Sequence, residues 1–369
     1  MTTLHDLQTP CLVLDKARLE RNLARMSEAM KRNGAALRPH LKTAKSAAVA
    51  KIATAGEAGG ITVSTLAEAE YFLEHGFADI LIAAAQPPSK LDRAGQLTDR
   101  GATVTLIADH PDLARSIASH PAPFRGLVEI DSGDHRAGVD ADSESVLEVA
   151  RAMGDKLVGV MTHAGHSYDC RDVAAIRRVA EDERRAVVKA AERLRSNGLR
   201  CDVVSVGSTP TMTHAESLQG VTEGRPGVYM FHDLFQAAIG SCTKEDIAIS
   251  VLASVIGIDE RQRRFLVDAG ALALSKDRST QATDADAGYG EVWDIDGNPL
   301  PGGWTIARAW QEHGLAVPSG SPSTLGIAVG DKVRIGPNHA CITAAAHDRY
   351  HVVEGDVGVV AEWDRVNGW

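Results

Sequence analysis

No two of the five cysteines, Cys11, Cys170, Cys201, Cys242 and Cys341, form a CxxC pair, and their number is odd. That excludes a disulfide scaffold. The chain also lacks a basic balance: 39 Lys and Arg face 49 Asp and Glu, a formal net charge of −10. Neither nucleic acid nor an anionic membrane is then the natural partner, and a small solute fits better. The N-terminal stretch "MTTLHDLQTPCLVLDKARLE" has no basic leader followed by an apolar run, and no later segment approaches membrane-spanning length. Cytoplasm is the expected location. Internal repeats and low-complexity tracts are missing too, and no GxGxxG follows the first strand, which argues against an open dinucleotide-binding sheet.

What is present is ordinary soluble material, 44% hydrophobic and 24% charged over 369 residues, enough for one large barrel and a second domain. "ARLERNLARMSEAMKRNG" places Leu19, Leu23, Met26 and Met30 on one helical face, with Asp15 to cap its start and Gly34 its end. Apolar runs then alternate with helical segments, from "ALRPHLK" and "GITVST" through "DILIAAA", "TVTLIAD", "RGLVEID", "KLVGVMTHAG" and "CDVVSVGST" to "GVTEGRPGVYMF". Eight such units predict an α/β fold built on a (β/α)8 barrel of the TIM type. Beyond residue 245 the helices give way to β-rich runs punctuated by Gly, Pro and Asp. The expected domains are therefore a barrel over 16–244 and a C-terminal β domain over 245–369, to which the strand at 9–15 can also belong.

In such a barrel the chemistry sits just past the C-terminal ends of the strands. "RPHLKTAK" (38–45) delivers His40 and Lys42 there, with Lys45 read as opening the next helix. A lysine forms a Schiff base only if partly desolvated or near other cations, which Arg38, His40 and Lys45 could supply; a surface lysine at a strand end is the plainer alternative. "SGDHRAG" supplies Arg136, which can instead pair with Asp131 or Asp134, and "THAGHSY" supplies His163 and Tyr168. "VGSTPT" (206–211) can cup a phosphate through Gly207, Ser208 and Thr209, or be an ordinary turn. "GRPGVY" adds Gly227 and Tyr229 from the eighth strand. An amine and a phosphate cup on one barrel mouth are what pyridoxal 5′-phosphate (PLP) requires. Separately, His339 and Cys341 in "PNHAC" are two apart, so in an extended strand their side chains would share one side and one ion, as imidazole and thiolate do for Zn2+. A buried Cys beside a hydrogen-bonded His fits the same spacing.

Taken together, "TPCLVLD", "LRPHLKTAK", "DSGDHRAG", "HAGHSY", "VGSTPT", "GRPGVY", "GYG", "QEHG" and "PNHACITAA" resemble, in this order, the fold-type III PLP enzymes of the D-serine dehydratase and D-threonine aldolase group. The resemblance spans nearly the whole chain. It implies an alanine racemase-like barrel with a β domain, a homodimer, and PLP on Lys42, with His40, Arg136, His163, Tyr168, Gly207, Ser208, Thr209, Gly227 and Tyr229 around the cofactor. It also implies a divalent metal on His339 and Cys341, zinc in the first instance and Mn2+ or Mg2+ as alternatives, with Glu312 and His313 of "QEHG" as further lining residues. Cysteine at the second metal position goes with dehydratases in this group, and aspartate with aldolases. The implied activity is a dehydratase (ammonia-lyase) taking D-serine to pyruvate and ammonia, or D-threo-3-hydroxyaspartate to oxaloacetate and ammonia. Lys42 would remove the Cα proton while the metal assists departure of the β-hydroxyl. The alternatives are an aldolase that breaks Cα–Cβ to give glycine and an aldehyde, and a non-enzymatic PLP carrier.

Overall fold

The first long helix forms where the apolar spacing places it, over Lys16–Arg32, with Leu19, Leu23, Met26 and Met30 all buried. Asp15 holds its start by accepting the Arg18 N–H at 3.0 Å, and Gly34 ends the turn behind it at φ +68, where a Cβ would be strained. The computed structural model describes residues 2–320 and 326–369. Two compact units divide the chain. One comprises Ala24–Gly227 with Val366–Trp369; the other joins the N-terminal residues through Leu23 to Val228–Arg365. The second cut lies upstream of the boundary at 244/245 read from the sequence.

Within the first unit eight parallel strands run, in spatial order, Ala36–Leu37, Glu223–Gly224, Val203–Val206, Leu157–Thr162, Arg125–Asp131, Thr103–Ala108, Asp79–Ile82 and Ile61–Val63. The ring closes where His40 bridges Thr62: the Leu41 N–H donates to the Thr62 carbonyl at 2.8 Å and the Thr62 N–H to the Pro39 carbonyl at 2.9 Å. This is the expected barrel. Its first and last strands are only two residues long, because Pro39 and Pro226 follow within two residues of each and have no N–H to give the ladder. Most strand positions are buried on both faces, as parallel strands covered by helices require.

The second unit is β-rich, as its sequence predicts. Ile249–Asp259, Arg264–Val267, Gly314–Pro318, Pro299–Ala309, Glu291–Trp293 and Lys332–Gly336 pair antiparallel in a closed ring of six. Cys11–Asp15 extends this sheet, antiparallel to Ile249–Asp259 and parallel to Arg349–Val353. Phe265 and Trp304 pack with ring centroids 4.9 Å apart inside the ring, each fully buried apolar side chain contributing roughly 1.5–3 kcal/mol. Among the described residues no helix is long and apolar enough to cross a membrane.

Candidate active site

Lys42 lies in a turn directly after the His40–Thr62 bridge, and its side chain is exposed. Arg38 does not neighbour its amine: the guanidinium turns into the barrel, bonding Glu223 at 2.8 Å and Asp79 at 3.2 Å. Nor does Lys45 open a helix. It takes a left-handed φ of +48 and pairs with Glu68 at 3.2 Å, and Ser46 precedes the helix Ala47–Ala53. The environment of Lys42 is built instead by two imidazoles. Burial, then the charges of Lys42 and Arg225, keep His40 well below the usual histidine range. Burial and the charge of Lys42 also push His163 down to about 3, so both rings are neutral at pH 7.

His163 follows the strand Leu157–Thr162, and its Nδ1 lies 2.5 Å from the Gly207 carbonyl oxygen. A carbonyl only accepts, so Nδ1 carries the proton and Nε2 is left as the basic nitrogen. Because the folded pKa is depressed, the stabilisation from burying neutral His163 is present above the unfolded value of about 6.5 and is lost as pH falls from there toward 3. Denaturant midpoints of the cofactor-free protein should therefore fall more steeply between pH 7.5 and 5.5 in the native protein than in His163→Asn. Equal slopes would contradict this.

The turn at Gly207 has a φ of +141, and a Cβ there would come within 2.6 Å of the Arg225 nitrogen. Its N–H donates to the Glu183 carboxylate at 2.9 Å, so Gly207 serves this turn by close approach and not by donating outward. Ser208 caps the short helix Thr209–His214 and its hydroxyl lies 2.8 Å from that of Ser167; both Ser208 and Thr209 are buried. Gly227 is a second bare position, where a Cβ would meet the His40 carbonyl at 2.9 Å and Thr43 Oγ1 at 3.1 Å. Tyr168 is half-buried on the single turn Gly165–Asp169. Arg136 is exposed, 3.8 Å from Asp134. Tyr229 is buried in the turn Val228–Met230, which belongs to the other compact unit.

Two further residues support this mouth: Arg225, which the sequence already places at the end of the eighth strand, in "GRPGVY", and Glu183, which it does not single out. Arg225 is buried, donates to the Thr162 carbonyl at 2.5 Å and to the Ser205 hydroxyl, and is held in place by the charges of Glu223, Glu183 and Glu129. An exposed amine, two neutral imidazoles, a buried cation and two turns stripped to bare backbone suit a flat aromatic aldehyde carrying a phosphate, so these residues fit PLP.

In the second unit His339 and Cys341 are not strand neighbours. The Asp233 carboxylate accepts the Ala340 N–H at 2.9 Å and starts the helix Ala340–Ala344, leaving His339 in extended backbone just before it. The two side chains nevertheless lie close enough to interact, and Asp277 Oδ2 lies 3.2 Å from His339 Nδ1. Burial opposes charge on His339, but Asp277 and Cys341 override it and push the imidazole up to about 11. Burial opposes charge on Asp277 as well, yet His339 and Ser279 bring it down to about 2, while burial raises Asp233 to about 6. The carboxylates of Asp277 and Asp233 thus both act on the His339 imidazole, a negative field that would equally favour a bound cation. No three His, Cys, Asp or Glu side chains among the described residues are arranged around one ion. The pair fits a metal with two protein ligands and positions left for water or substrate. Glu312 and His313 are both exposed, in the turn between Pro299–Ala309 and Gly314–Pro318.

Comparison with known proteins agrees with this fold. Residues 14–234 match the family "Alanine racemase, N-terminal domain" and residues 248–353 match "Putative serine dehydratase domain". D-threo-3-hydroxyaspartate dehydratase from Delftia sp. HT23 is 45% identical, over 100% of this chain and 99% of its own. Its solved structure, 44% identical, superposes with a TM-score of 0.96 over 100% of both chains. D-serine dehydratase from Dictyostelium discoideum is 30% identical over 99% of this chain and 98% of its own. The structure of D-threonine aldolase from Filomicrobium marinum, 28% identical, has a TM-score of 0.85 over 98% of this chain and 96% of its own. The chain belongs to the alanine racemase-like PLP enzyme family that contains the D-serine dehydratases and D-threonine aldolases.

Proposed function

We propose that this protein is a PLP- and metal-dependent dehydratase of D-3-hydroxy amino acids, with D-threo-3-hydroxyaspartate, converted to oxaloacetate and ammonia, as its preferred substrate. The observation that carries the reading is the proximity of His339 and Cys341, an imidazole beside a thiol, in a chain 45% identical end to end to a dehydratase of that substrate. Lys42 holds the cofactor and its Nζ removes the Cα proton. His163 presents Nε2 toward the mouth, its other nitrogen committed to Gly207; Ser208, Thr209 and Gly227 take the phosphate side; Arg136, Tyr168 and Tyr229 complete the surroundings. Bound PLP supplies the electron sink for the Cα negative charge, and a metal on His339 and Cys341 supplies a Lewis acid for the β-hydroxyl.

Imidazole with thiolate favours zinc among the divalent ions, and one solved D-threo-3-hydroxyaspartate dehydratase, 44% identical, is a variant in its metal-free form. A homodimer is part of the proposal: Leu272, Trp310 and Ile342 are large, apolar and exposed, and the Ala271 N–H bonds the Trp310 carbonyl at 2.7 Å, drawing two of them together. Five free cysteines support a cytoplasmic location. The aldolase reading is kept by the likeness to D-threonine aldolase. A PLP carrier would have no use for the β unit or its metal pair.

Rates with D-threo-3-hydroxyaspartate, D-serine and D-threonine test the substrate assignment. The hydroxyaspartate should be turned over with the highest kcat/KM. A higher value for D-threonine, with glycine released, would replace the proposal with the aldolase.

A further inference from the structure

The long helix Val173–Ser196 buries Ile176, Ala180, Glu183, Val187, Ala190, Ala191 and Leu194. Their spacing of three and four describes one apolar stripe, and Glu183 interrupts it with a carboxylate that has no exposure at all. A buried charge is costly unless it is bonded. Here Oε1 accepts two main-chain N–H groups, that of Ala164 at 3.0 Å and that of Gly207 at 2.9 Å. These belong to the residue after His163 and the residue before Ser208. The two peptide groups that flank the Gly207 Cα are thus both held, the N–H of one by Glu183 and the carbonyl of the other by His163 Nδ1. Burial raises the Glu183 pKa, and the N–H of Gly207, the Thr211 hydroxyl and the N–H of Ala164 oppose that rise.

We infer that Glu183 is a positioning residue: from outside the barrel it ties the loops after the sixth and seventh strands together and sets the Gly207–Thr209 turn in the form that receives the cofactor phosphate. The inference rests on the reading of that turn as the phosphate site. Glu183 touches neither cofactor nor substrate. It acts through the main chain, so its loss should be felt at the phosphate and much less at the aldehyde.

The test compares PLP with pyridoxal, which lacks the phosphate, by titrating each into cofactor-free protein and reading absorbance. Glu183→Met keeps the volume and removes both acceptors; PLP should bind about tenfold or more weakly, as expected for two hydrogen bonds to a carboxylate, while pyridoxal changes by less than about threefold. Glu183→Gln keeps an acceptor oxygen and should stay within about threefold of the native protein for both ligands. Should Glu183→Met not fold, Glu183→Asp, one methylene short of both N–H groups, should show the same selective loss. An unchanged PLP-to-pyridoxal ratio in the Met or Asp variant overturns the inference, because a packing role alone would leave that ratio alone. Ser208→Ala and Thr209→Val separate the two levels. If they lower the ratio and Glu183→Met does not, only the role of Glu183 fails; if neither lowers it, the turn is not the phosphate site.

Discussion

Lys42→Ala should lose turnover by about 10²–10⁴-fold or more, together with the visible absorbance of covalently held cofactor, while remaining folded. The stability half of this expectation follows from exposure. Lys42 sits in a turn, and surface substitutions of this kind shift stability by about 0.5 kcal/mol or less. The chemical half follows from its surroundings. The exposed amine stands beside the imidazoles of His40 and His163, both kept neutral by burial and by the charge of Lys42, where an aldehyde can reach it. No other amine is delivered at this strand end: Arg38 is committed to Glu223 and Asp79, and Lys45 to Glu68. A Lys42→Ala protein that kept both the absorbance and the activity would refute the assignment of the cofactor lysine. Lys42→Arg, which keeps charge but cannot form the covalent link at neutral pH, should behave like the alanine variant.

Cys341→Ala should lower metal content and reduce turnover by about a hundredfold or more, the several kcal/mol that Lewis-acid assistance contributes. The thiol is one of the two side chains proposed as ligands, and its partner His339 is already held on its Nδ1 side by Asp277 at 3.2 Å. Removing the thiol leaves one held imidazole, which cannot retain an ion alone. The helix Ala340–Ala344 should survive, since the Asp233 carboxylate still accepts the Ala340 N–H. Secondary structure by circular dichroism should therefore match the native protein while metal analysis does not. Chelation of the native enzyme should reproduce the loss and added zinc should reverse it. Full activity in a metal-stripped sample would remove the metal from the mechanism.

Local signals in the sequence carried the barrel, and long-range ones were hidden. Eight short apolar runs separated by helical stripes predict a closed parallel barrel because each run is too short for a helix and too apolar for a sheet with a wet face. The place of Lys42, just past the first strand, was legible because "RPHLKTAK" closes an apolar run. The expected strand geometry of "PNHAC" was wrong for a reason the segment cannot contain: Asp233, 107 positions from the Ala340 it bonds, starts a helix there. Asp277 was likewise out of view, 62 positions from His339. Arg225 was visible but carried no distinguishing pattern, since its role depends on carboxylates from other strands. Glu183 did leave a mark, a carboxylate inside an apolar helical stripe.

The most direct test of the proposed activity is the product balance with D-threo-3-hydroxyaspartate and the purified, PLP- and zinc-loaded enzyme. Dehydration requires one oxaloacetate and one ammonia for each substrate consumed, with no glycine. Equimolar glycine and glyoxylate without ammonia would show that the Cα–Cβ bond is broken instead, and would contradict the dehydratase assignment.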